Sequence, residues 1–186
     1  MRERLPTRLE GRFVTLEALG PEHETGLRTA GADPQVWRWM RVSDVDSWLE
    51  LMRDASDYPF AILQAGVPVG SSSYLSITPE HRRLEIGNTW MEPSTWGTGA
   101  NVEAKYLLMA HAFEELGCIR VEFKTDAKNE RARAALAALP SQFEGIHRKH
   151  MLVRGDVRRD SAWYSVTDDE WPEVKAALER RLAAKR

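Results

Sequence analysis

The stretch with the most chemical promise in this sequence is Glu85-Ile86-Gly87-Asn88-Thr89-Trp90-Met91-Glu92-Pro93-Ser94-Thr95-Trp96-Gly97-Thr98-Gly99-Ala100-Asn101-Val102. It leaves a strand, crosses a glycine-bearing loop and enters a helix. Glycines let the backbone come close to a ligand, and the first helical turn offers unsatisfied N–H groups at the positive end of the dipole. A pyrophosphate suits such a place. No Lys-Ser or Lys-Thr follows the glycines, as a nucleoside triphosphate loop requires, and the third glycine of the dinucleotide fingerprint is missing. A tight turn before a helix explains a bare Gly-x-Gly equally well, so the surroundings must decide.

Few other residues compete for a chemical role. Glu85 lies on the strand leading into the loop; a carboxylate there serves as a general base where burial lifts its pKa, or as a surface partner of Arg82 or Arg83. Tyr164 is either a proton donor lining a pocket or a half-buried strand tyrosine. The lone Cys118, between a helix stop and a strand, reads as an inert core thiol. His147 and His150 are three apart on an expected strand and so face opposite sides, which implies no metal site. Neither Gly-x-Ser-x-Gly nor His-Glu-x-x-His occurs, so hydrolase readings lack support.

The elements that must position these residues follow from periodicity and punctuation. Arg12 to Leu16 reads as a first strand, Pro21 to Ala30 as a helix, and Ser43, as N-cap, to Asp54 as a second helix. Tyr58 to Gln64 and Val67 to Ile77 form a hairpin about Ala65-Gly66, and Arg83 to Met91 is the next strand. Val102, Tyr106, Met109, Phe113 and Leu116 recur at helical spacing, and Gly117 stops that helix. Ile119, Val121 and Phe123 then alternate with charged residues, so strand, helix and strand predict a right-handed parallel crossover. A short helix from Asn129 to Leu139 precedes strands from Phe143 to Val153 and from Val157 to Val166. Thr167 with Glu170 forms a capping box for the last helix. The order is β, α, α, three strands, α, β, α, β, β, α.

A chain of 186 residues suits one domain over residues 1-186. An apolar share of 42% beside 29% charged residues gives a core and a solvated surface, and a net charge of −2 leaves no excess of cations for nucleic acid. Met1-Arg2-Glu3-Arg4 begins no signal peptide and no apolar run approaches the ~20 residues of a membrane span. With one cysteine as well, a cytoplasmic location is expected.

Several motifs in order resemble the Gcn5-related N-acetyltransferase (GNAT) family, in its RimJ/RimL branch of ribosomal-protein N-terminal acetyltransferases. They include Leu9-Glu10-Gly11-Arg12-Phe13-Val14-Thr15-Leu16-Glu17, Trp96-Gly97-Thr98-Gly99-Ala100-Asn101-Val102-Glu103-Ala104-Lys105 and Ala112-Phe113-Glu114-Glu115-Leu116-Gly117. Arg120 to Asp126, Asn129-Glu130-Arg131, Phe143-Glu144-Gly145, Arg159-Asp160, Tyr164-Ser165-Val166 and Glu170-Trp171-Pro172 extend the resemblance along nearly the whole chain. It implies a mixed α/β fold: a central twisted sheet of about seven strands flanked by helices, with a β-α-β core that binds acetyl coenzyme A.

By that resemblance Trp90 and Met91 line the pantetheine arm, and Trp96, Gly97, Thr98, Gly99, Ala100 and Asn101 hold the phosphates. Asn129 matches the family's asparagine that contacts the arm, although a helix cap is its ordinary role. Three departures stand out: Ser94 where the superfamily prefers Arg or Gln, Ala132 where many relatives carry Ser, and no Tyr between Asn129 and Leu139. A thiol of pKa ~8.5 leaves readily while an amine near ~10 must first lose a proton, so a base matters more than an acid. The expected activity is acetyl transfer from acetyl coenzyme A to a primary amine, in a protein N-terminus or a small molecule. Attack is direct within a ternary complex, with Glu85 as base, Tyr164 as a second catalytic candidate, backbone N–H groups near Met91 polarising the thioester, and no metal. Trp37, Trp39 and Trp48 either shape the acceptor pocket or pack two helices on the sheet. A homodimer is compatible with all this, and the other reading is a coenzyme-A-binding module without turnover.

Overall fold

The structure is a computed structural model that describes residues 1–53 and 56–185. Eight strands form one sheet in the order β1-β2-β3-β4-β5-β6-β8-β7. They are β1 (Arg8–Glu10), β2 (Thr15–Ala18), β3 (Tyr58–Gln64), β4 (Val67–Thr78), β5 (Arg83–Met91), β6 (Arg120–Asp126), β7 (Gln142–Val153) and β8 (Val157–Thr167). Five α-helices join them: α1 (Glu24–Ala30), α2 (Val45–Arg53), α3 (Ala100–Ala110), α4 (Glu130–Ala137) and α5 (Trp171–Ala183). Neighbouring strands are antiparallel except β5 and β6, which run parallel because α3 carries the chain back between them. Among the described residues no helix is long and apolar enough to cross a membrane.

The expected first strand is the main correction to the fold. Arg12 to Val14 are the turn of a hairpin between β1 and β2, so the sheet has eight strands rather than about seven. The reason is a long-range partner: the backbone N–H groups of Arg12, Phe13 and Val14 donate to the buried Glu103 carboxylate on α3, at 2.8, 2.5 and 2.8 Å. Those amides are spent on a carboxylate instead of a neighbouring strand, and the turn is fastened to the helix.

Two apolar clusters fill the molecule. The larger gathers Leu84, Ile86, Val121, Phe123 and Val166 from the sheet with Leu108, Met109, Leu136 and Leu178 from helices α3, α4 and α5. The smaller gathers Leu27, Val45, Trp48 and Leu49 from α1 and α2 with Trp37 and Trp90. Trp90 belongs to the second cluster and its neighbour Met91 to the first, as alternation along a strand requires. Helix α3 passes into one π-helical turn, His111–Glu115, before the chain enters β6. At α2 the cap is Asp44 rather than Ser43, its Oδ1 accepting from the Ser47 amide at 2.8 Å, and the expected end at Asp54 lies outside the described residues. Of the capping box before α5, the arm from the Thr167 N–H to Glu170 Oε2 forms, at 2.8 Å.

A second correction concerns the two histidines of β7. Between His147 and Met151 that strand advances four residues while β8 advances two, and Lys149 takes a φ of 50°, a left-handed conformation that such bulges impose. The bulge brings His147 and His150 to one side, with ring centroids 5.7 Å apart and both rings against Trp163. Among the described residues no group of three or more His, Cys, Asp or Glu side chains could hold a metal ion.

Candidate active site

The site begins where two parallel strands part. β5 and β6 pair only at Arg83 with Arg120, Leu84 with Val121 and Glu85 with Glu122, although β5 runs on to Met91 and β6 to Asp126. Beyond that point the facing backbones lack each other as partners, and a cavity of about 390 Å³ opens between them. Residues 86–91 and 123–125 form its walls, with the loop and first turn of α3 at one end and α4 along one side.

A bulge in β5 sets which side chains face this cavity. From Ser73 opposite Gly87 to Ser71 opposite Trp90, β5 spends one residue more than β4, and Asn88 sits at φ 50°. The extra residue turns Trp90 onto the Glu85 side of the sheet, where alternation alone would have put it opposite. There its indole packs on Trp37 and Trp48, with ring centroids at 5.0 and 5.4 Å.

At the mouth of α3 the loop has spent part of its donor capacity. The Trp96 N–H donates to the Pro93 carbonyl, Thr98 to Thr95, and Ala100 to the Thr98 hydroxyl, at 3.1, 3.3 and 3.2 Å. Gly97, Gly99 and Asn101 have no acceptor for their N–H groups among the described residues. Lys105 joins them, buried on the cavity wall, and its ammonium donates back to Asn101 Oδ1 at 2.7 Å. It forms no ion pair among the described residues, and burial pulls its pKa down to about 8. Arg131 lies 3.6 Å over the Trp96 ring, the Lys185 ammonium donates to the Gly97 carbonyl at 2.8 Å, and Arg181 also reaches the wall.

Glu85 marks the closed end of the cleft. It is 1% exposed and pairs with Lys124, Nζ to Oε2 at 2.5 Å, while Arg83 instead binds Glu122 at 3.0 Å. The surface pairing with Arg82 or Arg83 is therefore not made. Burial pushes the Glu85 carboxyl above the usual range, against the pull of Lys124. Val36, Trp39, Met40 and Arg41, from the segment between α1 and α2, close the cavity on this side.

The remaining candidates separate cleanly. Trp90, Met91, Trp96, Gly97, Thr98, Asn101 and Asn129 all line the cavity, whereas Gly99 and Ala100 stand behind it. Asn129 does cap α4, its Oδ1 accepting from the Ala132 N–H at 3.1 Å, and it shows its other side to the cavity. Met91 holds the Trp96 indole N–H on its carbonyl at 2.9 Å. Tyr164 is buried away from the wall, its ring tilted against Phe143, with its hydroxyl accepting from Arg133 at 3.3 Å. Cys118 is 2% exposed and burial pushes its thiol up to about 11, as an inert core thiol requires.

A cleft made by two parting parallel strands, closed by a glycine loop and a helix N-terminus, suits a long ligand with a charged end. The acetyltransferase (GNAT) domain family matches residues 14–139 of this sequence. The chain belongs to that family.

Its solved relatives share the architecture through nearly the full length. A protein from T. thermophilus described as a putative acetyltransferase is 40% identical, with 96% of this chain and 98% of that one covered and a TM-score of 0.89. A GCN5-related N-acetyltransferase from Brucella melitensis is 31% identical, covering 97% and 88%, with a TM-score of 0.90. A curated relative, "Putative ribosomal N-acetyltransferase YdaF" of Bacillus subtilis, is 28% identical over 131 residues, 70% of each chain. This GNAT chain is thus an acyltransferase. What motif reading missed in it is the set of cations on the wall: Lys105, Arg131, Arg181 and Lys185 around the loop, and Arg41, Lys124 and Arg159 elsewhere on the wall. Their spacing in sequence carries no pattern, because separate elements and connecting segments bring them together.

Proposed function

We propose that this acyltransferase moves an acetyl group from acetyl coenzyme A to a primary amine, by direct attack within a ternary complex. The observation that carries the reading is the parting of β5 from β6 into a cleft whose far end combines unspent amides with a buried, uncompensated Lys105. The donor set fits the coenzyme: the amides of Gly97 and Asn101 with Lys105, Arg131 and Lys185 suit a diphosphate. The exposed backbone of 86–91 suits the amides of a pantetheine arm. Ser94 then leaves no gap, because cations from α3, α4 and the C-terminal segment stand where a loop arginine would have helped.

The coenzyme supplies an activated thioester. The amine nitrogen forms a bond to its carbonyl carbon, the carbon–sulfur bond breaks, and the sulfur departs as thiolate or thiol. Glu85 takes the proton that the amine must lose, its basicity raised by burial and its position fixed by Lys124. The name of the Bacillus relative makes protein α-amines the first acceptors to test.

Thiol release measured with acetyl coenzyme A and a panel of amidated peptides and small amines tests the transfer. Release must depend on the added amine, and Glu85→Gln is expected to lower kcat by about 10²-fold or more. Calorimetric binding of acetyl coenzyme A without release from any acceptor would leave only a binding module. A rate unchanged by Glu85→Gln at every pH would remove Glu85 as the base.

A further inference from the structure

Three residues on the cavity wall carry buried hydrogen-bond donors that have nothing to bind. Arg159, on β8 two residues beyond the Ser161 partner of the last β6 residue, is 8% exposed and lines the wall. Its Nε has no acceptor and its guanidinium no ion-paired carboxylate among the described residues. Asp126 and Glu85 act on it only through space. Asn88 Nδ2 and Trp90 Nε1 are likewise buried without an acceptor, and both residues line the same cavity. Buried donors left unmatched cost about 1–3 kcal/mol each, and natural structures rarely tolerate several together.

The charge on the wall points the same way. Among the described residues lining the cavity Glu85 is the only acid, and Lys124 already pairs with it, while Arg41 and Arg159 form no ion pair among the described residues. A polycationic acceptor would bring further positive charge to this wall. A carboxylate would bring acceptor oxygens and a negative charge to three donors that lack both.

We propose that the acceptor amine belongs to a molecule that also carries a carboxylate, and that Arg159 binds this carboxylate, with Asn88 and Trp90 supplying further donors. The inference rests on the acetyl-transfer reading above and narrows it: acidic peptides or amino acids are substrates, and polyamines are not. Arg159 determines specificity and Glu85 takes the proton, so the two roles separate in kinetics.

The test compares acceptors that differ only in carboxylate or carboxamide. Amidated tetrapeptides beginning with Glu or Asp are run against those beginning with Gln or Asn, free amino acids against their amides, and spermidine as the polycation, with thiol release as the readout. The acidic member of each peptide pair is expected to have kcat/KM at least about tenfold higher, mainly through KM, in line with a charge-assisted hydrogen bond. Arg159→Gln collapses that ratio toward one and Arg159→Lys keeps part of it. An unaltered Kd for acetyl coenzyme A shows that the variants are folded, and Arg159→Lys carries the test if Arg159→Gln is not. Equal rates within the pairs, turnover of spermidine at the rate of the acidic peptides, or an Arg159→Gln that slows both members alike overturns the inference while leaving acetyl transfer standing. Release from none of the acceptors, with acetyl coenzyme A bound, defeats the transfer reading itself.

Discussion

Helix α3 carries two buried charges, Glu103 and Lys105, only two residues apart, and the protein treats them in opposite ways. Glu103 points to the β1–β2 turn and accepts three backbone N–H groups, so its charge is satisfied by the fold. Lys105 points into the cavity and meets one neutral oxygen, on Asn101. A cation is thus held near the positive end of its own helix, out of water and without a counter-charge. Burial, the helix dipole and the missing counter-charge all oppose that arrangement until an anion arrives, and the Asn101 hydrogen bond offsets them only in part. The difference separates residues that hold the structure from residues that await a ligand, on one helix and in almost adjacent positions.

Replacing Glu103 is expected to give the largest effect. Glu103→Leu leaves the amides of Arg12, Phe13 and Val14 without their acceptor, at about 1–3 kcal/mol for each buried donor that water cannot reach. A loss of about 4 kcal/mol in urea unfolding at neutral pH is expected. A loss below about 1 kcal/mol would mean that the turn finds other partners and that Glu103 is no anchor.

Lys105→Met should act with the opposite sign on stability and cost binding instead. A lysine pKa drawn from 10.5 to about 8 corresponds to about 3 kcal/mol by which the fold disfavours the charged form below pH 8. Part of this returns in the methionine variant, so the empty protein gains about 2 kcal/mol while acetyl coenzyme A binds some ten- to hundredfold more weakly, as loss of a charge-assisted contact predicts. A variant that loses stability and keeps its affinity would assign Lys105 to the scaffold, beside Glu103.

The pH dependence sharpens the same point in the unaltered protein. Between pH 8 and 10.5 the unfolded chain keeps a proton that folded Lys105 has released, so stability rises with pH across this window as far as this group decides. Coenzyme affinity runs the other way, falling as pH climbs through about 8, because the diphosphate selects the cation. Calorimetry at pH 7 and pH 9 should show that fall, and Lys105→Met should flatten it.

Much of this was open to inspection in the sequence, and what was hidden shares one cause. The hairpin of β3 and β4, the strand β5, the crossover through α3 and the glycine loop all follow from short-range pattern, because alternation and capping are local. Glu103 as an anchor was not visible, since its three donors lie about 90 residues away and are backbone groups without side-chain signature. The bulges at Asn88 and Lys149 were also hidden: neither residue is glycine, yet each adopts a positive φ imposed by its neighbours. Each bulge reverses which residues share a face, so Trp90 turns toward Glu85 and the two histidines meet. Lys105 and Arg159 stand in the sequence only as members of motifs, and their burial without ion-paired partners is seen in the structure alone.

The two loop glycines offer the smallest test, and they fall on the two sides of the same divide. At Gly99 the backbone lies in the ordinary helical region, but an added Cβ would come within 2.9 Å of the Phe13 ring, which the Glu103 anchor holds in place. At Gly97 nothing lies within 4 Å of such an atom, and only the φ of +77° resists a side chain. Gly99→Ala should therefore cost about 1–2 kcal/mol through the shifted ring and lessen when Phe13→Leu makes room. Gly97→Ala should cost about 1 kcal/mol that no neighbouring substitution relieves. Its further mark is on binding: a backbone that relaxes away from positive φ turns the unspent Gly97 amide, and acetyl coenzyme A affinity drops several-fold. If Gly97→Ala lost stability alone, the amide would not be a ligand donor, and the loop would serve α3 only as its entrance.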